Sequence, residues 1–213
     1  MKNMTVVSTI AALAMLATAT TAAAQPAPVV DPAPVEQTRV EQAVKATFAS
    51  APADWQSRVA QDETQRICSL RHNEPTTQEA DAILARETKS LVIPDGDLMG
   101  NWKRGEDVAQ NGRGGQFSDA PGTVSGGNCY ACHQMAPAEI SYGTLGPSLA
   151  AYGRLREFAP EAARIAYARI YNPQSAQPCS NMPRFGHNGV LSAEQIKDLV
   201  AYLFARDSPV NAP

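Results

Sequence analysis

Apolar side chains in this chain recur at the three- and four-residue spacings of amphipathic helices, whereas the alternation typical of strands is weak throughout. Four stretches carry such an apolar face: Val40, Val44 and Phe48; Trp55, Val59, Ile67 and Leu70; Ala80, Ile83, Leu84, Glu87 and Leu91; and Ile196, Leu199, Val200 and Leu203. Each face is buried best against other helices, so the pattern predicts an all-α protein.

Capping residues and prolines mark where these helices begin and end. Thr76-Thr-Gln-Glu79 and Ser192-Ala-Glu-Gln195 have the capping-box spacing that starts a helix. Ile93-Pro94 is expected to end the first of the two. Two further helices are predicted, at 97–110 and at 161–171, each followed by Gly or Pro.

The amino terminus has the organisation of a Sec signal peptide. Lys2 precedes an apolar stretch at 6–17, and small residues lead up to Ala24, after which cleavage is expected. The apolar stretch is too short for a good membrane anchor, and no later segment approaches a membrane span. Residues 1–24 are therefore a predicted signal peptide, and the mature protein is expected in the periplasm.

The net charge of the chain limits the classes of partner that are expected. The chain has 18 basic and 21 acidic side chains, with a formal net charge of −3 at pH 7. So mildly acidic a balance gives no reason to expect a nucleic acid or an anionic membrane as partner.

Cys129-Tyr-Ala-Cys132-His133 carries the most specific chemistry in the chain. At this spacing both thiols can form thioethers to the vinyl groups of a haem, and the histidine can ligate its iron. A thioredoxin-type dithiol would follow a strand, and a zinc site would need a second close pair of Cys or His. Neither is found, so the motif predicts one covalently attached haem c on Cys129 and Cys132, with His133 as an axial ligand.

The other axial ligand decides between electron transfer and ligand chemistry. Met182 is the stronger candidate, because it lies in a Pro-braced loop before the last helix and Met135 is too near His133 to reach the opposite face. His187 would instead give bis-histidine ligation, or it is a loop histidine near the haem edge. On the proximal side we expect the carbonyl of Pro147 to accept the second N–H of His133, unless that segment is only a turn.

Two cysteines remain. In an oxidising compartment Cys68 and Cys179 are expected to pair, which would close a loop of about 110 residues and contribute about 4 to 5 kcal/mol in the chain-entropy model. The bridge would hold the amino-terminal extension beside the loop that carries Met182. The alternative is a free Cys179 thiol that ligates iron or carries a sulfur adduct.

The chain thus divides into a signal peptide (1–24), a Pro-rich tether with a helical extension (25–94), a class I-like cytochrome c domain (95–208) and a tail (209–213). The Pro-rich tether, 25–34, is not expected to hold a helix. The Gly-rich run at 112–127 is expected to be an exposed loop and a candidate surface for a partner.

Four stretches extend the pattern beyond the haem motif: 127–134, 141–149, 170–174 and 178–191, the last reading Pro-Cys-Ser-Asn-Met-Pro-Arg-Phe-Gly-His-Asn-Gly-Val-Leu. Together they resemble the SoxX family, the monohaem subunit of the SoxXA cytochrome complex of sulfur-oxidising bacteria.

The resemblance implies a heterodimer with a dihaem or monohaem SoxA-like subunit, which would carry the catalytic cysteine, so that no catalytic residue is expected on this chain. The complex would act as an L-cysteine S-thiosulfotransferase that oxidatively couples thiosulfate to a cysteine of a SoxYZ-like carrier. This chain would take up the electrons through its His133/Met182 haem and pass them to a small soluble cytochrome c. The alternative is a stand-alone haem protein with an open site, such as a peroxidase or gas sensor.

Overall fold

A computed structural model of the protein describes residues 34–52, 56, 58–116 and 118–213. The α-helices are α1 (Pro34–Thr47), α2 (Glu63–Leu70), α3 (Thr77–Lys89), α4 (Trp102–Gln110), α5 (Pro160–Tyr171) and α6 (Ala193–Phe204). Short 3₁₀ turns lie at Cys129–Ala131, Arg154–Arg156, Pro173–Ser175 and Pro209–Asn211. The described part of the chain contains no strand, which confirms the all-α prediction there.

Two predictions fall wholly outside the described residues: the signal peptide at 1–24 and the contribution of Trp55 to a helix face. Of the tether predicted at 25–34 only Pro34 is described, and it is the first residue of α1, a position that proline tolerates because the first turn of a helix needs no N–H donor there. None of the helices in the described ranges combines the length and the apolarity that crossing a membrane requires.

The last helix, α6, lies at the centre of the core. Its residues Ile196, Val200 and Tyr202 are fully buried, and it packs most extensively against α4. Gly105 permits this close approach, because a Cβ at that position would lie 2.8 Å from the Tyr202 Cβ and nearer still to the Asp198 carbonyl. Helix α6 is therefore the central support of the fold.

Both predicted capping boxes are present. The side chains of Thr76 and Ser192 accept the backbone N–H groups of Glu79 and Gln195, whose own side chains bond back to the two capping residues. The helix that begins after Thr76 ends at Lys89, earlier than the predicted stop at 93–94.

Helix α4 begins at Trp102 and not at residue 97, as the sequence predicted. The Asn101 side chain accepts the N–H groups of Lys103 and Arg104, which makes it the capping residue. The Asn101 N–H donates to the Asp198 carboxylate at 2.7 Å, so the segment before it is fastened to α6 in an extended conformation.

The helices of the extension differ in how they pack. Val40 of α1 and Phe48, the residue that follows this helix, are 58 % and 43 % exposed, so this helix adds little to the core. In contrast, Ile67 of α2 and Ile83 of α3 are buried, in a small cluster that also holds the cysteine pair described below.

Two residues of the predicted tail at 209–213 pack against the preceding helix. Val210 is fully buried, and the Asn211 amide donates to the carbonyls of Leu203 and Ala205 at 3.0 and 2.9 Å. On both sides of the boundary placed at 94, the described residues belong to one compact unit.

Candidate functional site

The Cys129–His133 motif is fastened to the end of α4. The N–H of Asn128 donates to the carbonyl of Asn111 at 3.0 Å, and Asn128 itself has a φ of 45°, a left-handed conformation that asparagine adopts more readily than most residues. The chain then makes the 3₁₀ turn Cys129–Ala131, and the N–H of His133 donates to the Cys129 carbonyl at 2.9 Å. This compact turn sets the spacing of the two thiols and the imidazole.

The imidazole of His133 is oriented by the segment that ends at Pro147. The His133 Nδ1 lies 2.7 Å from the Pro147 carbonyl oxygen, which is the contact expected from the sequence. With its proton on Nδ1 the ring donates to this carbonyl and leaves Nε2 to bind a metal. Gly146 permits the approach, because a Cβ there would overlap the imidazole.

Tyr130, which lies between the two motif cysteines, joins the motif to α6. Its hydroxyl oxygen is 2.6 Å from that of Tyr202. Burial raises the pKa of both phenols, so both remain neutral at physiological pH and one donates to the other. The motif is therefore anchored at α4 through its backbone and at α6 through this pair.

Met182 lies on the connection between α5 and α6. Its side chain is half-buried and packs against the main core cluster, as do Cys129 and Tyr130 of the motif. His187, the alternative ligand, is exposed. Of the two ligand candidates, the structure thus associates Met182 with the core that supports the haem motif.

The alternative readings of Cys-x-x-Cys find no support. Cys129 and Cys132 are not bonded to each other, and burial raises the pKa of the Cys129 thiol to about 12. A redox dithiol would instead show a thiolate of lowered pKa. Within the described ranges no three His, Cys, Asp or Glu side chains group together as a metal site.

Cys68 of α2 and Cys179 form the predicted disulfide, with an S–S distance of 2.08 Å and a Cα–Cα distance of 5.3 Å. Both residues are buried. The bridge joins the extension to the connection that carries Met182. Cys179 is therefore not a free thiol, which was the alternative interpretation.

A buried polar cluster lies beside this disulfide. Glu87, only 2 % exposed, accepts hydrogen bonds from the Thr64 hydroxyl and from the Asn172 amide, the latter at 2.7 Å. The guanidinium of Arg184 lies 3.5 Å from the same carboxylate and 2.5 Å from that of Asp62. The helical spacing predicts Glu87 only as a member of a helix face, but a charged residue on an otherwise apolar face is the signal for a buried partner.

The residues gathered here fit a haem. The two thiols, the Nε2 of His133 and the thioether of Met182 are the groups that could hold one. Tyr167 of α5, which the sequence analysis passed over, is fully buried with a hydroxyl that has no partner, and burial raises its pKa. A buried hydroxyl without a hydrogen-bond partner costs free energy. The Tyr167 hydroxyl is therefore suited to bond a polar group of a cofactor that completes the core.

Comparison with known proteins agrees with this chemistry. The chain is 36 % identical over 182 residues to a protein of Aquifex aeolicus (strain VF5) named "Uncharacterized lipoprotein", a match that covers 83 % of this chain and 85 % of that protein. A model of the cytochrome c family matches residues 103–205. Residues 103–205 therefore form a cytochrome c domain.

As a cytochrome c, the protein carries covalently attached haem c and has the all-α, class I-like fold of that family. The bound haem supplies an iron that accepts and releases one electron. The family match runs from α4 to the end of α6 and leaves α1, α2 and α3 outside, so the helical extension is an addition to the cytochrome c domain.

Proposed function

We propose that this cytochrome is the electron-transfer subunit of a SoxXA-like complex, with haem attached at Cys129 and Cys132 and iron ligated by His133 and Met182. A SoxA-like dihaem or monohaem partner carries the catalytic cysteine of an L-cysteine S-thiosulfotransferase. The complex couples thiosulfate to a cysteine of a SoxYZ-like carrier, and this subunit passes the electrons to a small soluble cytochrome c.

The electron-transfer role is supported above all by the bond between His133 and Pro147. A carbonyl 2.7 Å from Nδ1 orients the ring and strengthens Nε2 as a ligand, and Met182 lies on a connection fastened on both sides. An iron ligated on both faces exchanges electrons without binding a substrate, and a thioether ligand favours a relatively high reduction potential.

The place in sulfur oxidation is supported by the resemblance of 127–134, 141–149, 170–174 and 178–191 to SoxX. The last stretch contains Cys179, Met182 and Arg184, all of which take part in the contacts around the proposed ligand loop. These contacts give the resembling residues a physical role beyond the haem motif.

Export to the periplasm is supported by three independent features. The buried disulfide between Cys68 and Cys179 is typical of an oxidising compartment. Residues 1–24 have the composition of a Sec signal peptide. The Aquifex relative is named a lipoprotein, which is in keeping with an exported family member.

The test is reconstitution of thiosulfate-dependent electron transfer. The complex is purified from native periplasm, and reduction of a small cytochrome c by thiosulfate is followed with each subunit omitted in turn. We expect no reduction without this subunit, and restored reduction with the wild-type protein but not with Met182→Ala. Undiminished reduction in its absence would contradict the proposal.

The alternative of an open haem site is separated from this proposal by carbon monoxide. An iron ligated by both His133 and Met182 binds the gas poorly in the reduced, native protein, whereas an iron with an open position binds it readily. Ready binding by the wild-type protein would favour a peroxidase or gas sensor.

A further inference from the structure

The connection between α5 and α6 has little regular structure with which to hold Met182. Its regular element is the single 3₁₀ turn Pro173–Ser175, and the Met182 N–H donates to the Ser180 hydroxyl at 3.3 Å. Beyond Met182, the N–H groups of Gly186 and His187 donate to the Tyr171 carbonyl at 3.0 and 3.1 Å and tie the connection to α5. Contacts from the extension add to this attachment.

Glu87 of α3 holds this connection at two points. Its Oε2 accepts a hydrogen bond of 2.7 Å from the side-chain amide of Asn172, the residue that caps the end of α5. The same oxygen lies 3.5 Å from Nη1 of Arg184, two residues beyond Met182. One carboxylate of the extension thus joins the start of the connection to the residue just past the proposed ligand.

The other carboxylate oxygen is tied to the extension itself. Glu87 Oε1 accepts from the hydroxyl of Thr64 on α2, and Thr64 in turn accepts from Arg86 at 2.9 Å. Contacts from α2 and α3 consequently fix the Glu87 side chain, in addition to its contacts with the connection.

The disulfide supplies the attachment on the other side of Met182. Cys179 is bonded to Cys68 three residues before the methionine, and its N–H donates to the Gln174 side chain at 3.2 Å. Met182 therefore lies between two attachments to the extension, one covalent at Cys179 and one ionic at Arg184.

Stability alone does not explain why charges are buried here. The side chains of Arg184 and Glu87 are 5 % and 3 % exposed. Removing two charges from water costs about as much as their pairing returns, and well-packed apolar side chains often serve a fold as well. Arg184 also pairs with Asp62 at 2.5 Å, so it keeps one partner if it moves away from Glu87. The buried carboxylate of Glu87 would then have no cation, and this favours the arrangement that keeps Arg184 beside it.

We propose that Glu87 is a positioning residue for the axial thioether: by fixing Asn172 and Arg184 together, it keeps Met182 on the iron. The inference rests on the proposed ligation by His133 and Met182. It gives the extension, which lies outside the cytochrome c match, a function at the haem.

The experiment uses the full-length, haem-loaded protein and the variant Glu87→Gln, which keeps the shape of the side chain and removes the charge that pairs with Arg184. Two readouts report ligation directly: the sulfur-to-iron charge-transfer band of the oxidised protein and carbon monoxide binding by the reduced protein. Because the gas binds only when Met182 is off the iron, its apparent affinity rises in proportion to the open fraction. We expect a weakened band and an affinity raised about ten-fold or more.

The matched control is Glu63→Gln on α2, which removes an exposed carboxylate of the extension that pairs with Arg66. It should leave the band and the carbon monoxide affinity unchanged. If Glu87→Gln does not accumulate, Glu87→Asp keeps the charge but is one methylene too short to bridge Asn172 and Arg184, and it should show the same changes to a smaller extent.

The inference is overturned if a folded Glu87→Gln or Glu87→Asp protein keeps the parental band and carbon monoxide affinity. Met182→Ala distinguishes this result from failure of the proposed ligation. Loss of the band in Met182→Ala with an unchanged Glu87 variant refutes the positioning role alone, whereas a band that survives Met182→Ala refutes the ligation and the positioning role together.

Discussion

The carbonyl oxygen of Pro147 lies 2.7 Å from Nδ1 of His133, and the absence of a side chain at Gly146 makes this distance possible. We predict that Gly146→Ala displaces the carbonyl, because a Cβ would overlap the imidazole. A weaker bond at Nδ1 lowers the basicity of Nε2, so the reduction potential should rise, with stability lower by about 1–3 kcal/mol.

Potentiometric titration and denaturant unfolding of the haem-loaded protein measure both effects. Gly112→Ala is the control, because a Cβ there would meet Asn128 at 3.4 Å, an ordinary contact. An unchanged potential in Gly146→Ala would show that the carbonyl does not tune the ligand.

The disulfide between Cys68 and Cys179 should contribute about 2–5 kcal/mol, since it closes a long loop in the unfolded chain. We predict that reduction of the wild-type protein lowers the midpoint of denaturant unfolding. The variant with both cysteines changed to serine should already have the lower midpoint and should not respond to the reductant. Alkylation before reduction should label neither cysteine in denatured protein; a label on Cys179 would contradict the bridge.

The buried charge of Glu87 makes Arg184 far more important to stability than an exposed cation. Arg184→Met leaves Glu87 without its ionic partner, and we expect a loss of about 3–5 kcal/mol in the free energy of unfolding. Arg66→Gln, which removes an exposed partner of the exposed Glu63, should cost no more than about 0.5 kcal/mol. Equal losses of unfolding free energy in the two variants would contradict the prediction that the buried ion pair contributes more to stability than the exposed one.

The pH dependence of stability should carry a contribution from Asp62. Burial raises the pKa of this carboxyl, but hydrogen bonds from the Gln65 N–H and the Arg184 guanidinium outweigh that effect, and the pKa is lowered overall. A lowered pKa means that the carboxylate stabilises the fold at neutral pH and that this stability is lost as the pH falls through the folded-state value.

We therefore predict that unfolding free energy falls between about pH 5 and pH 2, and that it falls less steeply in Asp62→Asn. Asparagine retains the helix cap at this position, so the comparison isolates the charge. Because the side chain is 44 % exposed, the difference should stay near or below about 1 kcal/mol. Parallel pH profiles for the variant and the wild type would contradict the prediction; Asp95→Asn serves as an exposed control.

Structural features that depend on only a few neighbouring residues could be predicted from the sequence. The capping boxes at Thr76 and Ser192 depend on four consecutive residues, and the haem motif on five. The helix start at Asp62 uses the same device, with Gln65 as its partner, but irregular apolar spacing before it hid that start. The helix predicted at 97–110 begins only at Trp102. The Asn101 N–H donates to Asp198, almost a hundred residues later in the chain, and Asn101 is held in an extended conformation.

The contacts that surround the site could not be predicted as well from the sequence. Glu87 and Arg184 are 97 residues apart, and no local pattern pairs a carboxylate with a guanidinium at that separation. Tyr167 occupies a helix-face position that any apolar residue could fill, and only packing shows that its hydroxyl is buried without a partner. The sequence therefore predicted the groups that could bind haem, but not the polar contacts that hold their loops.

The assignment of His133 and Met182 as axial ligands is tested most directly by the absorption spectrum of the oxidised, haem-loaded protein and its Met182→Ala variant. We predict a low-spin spectrum with a sulfur-to-iron charge-transfer band at its red edge, which disappears in Met182→Ala while haem attachment at Cys129 and Cys132 persists. A wild-type protein without this band, or a variant that retains it, would show that Met182 does not ligate the iron.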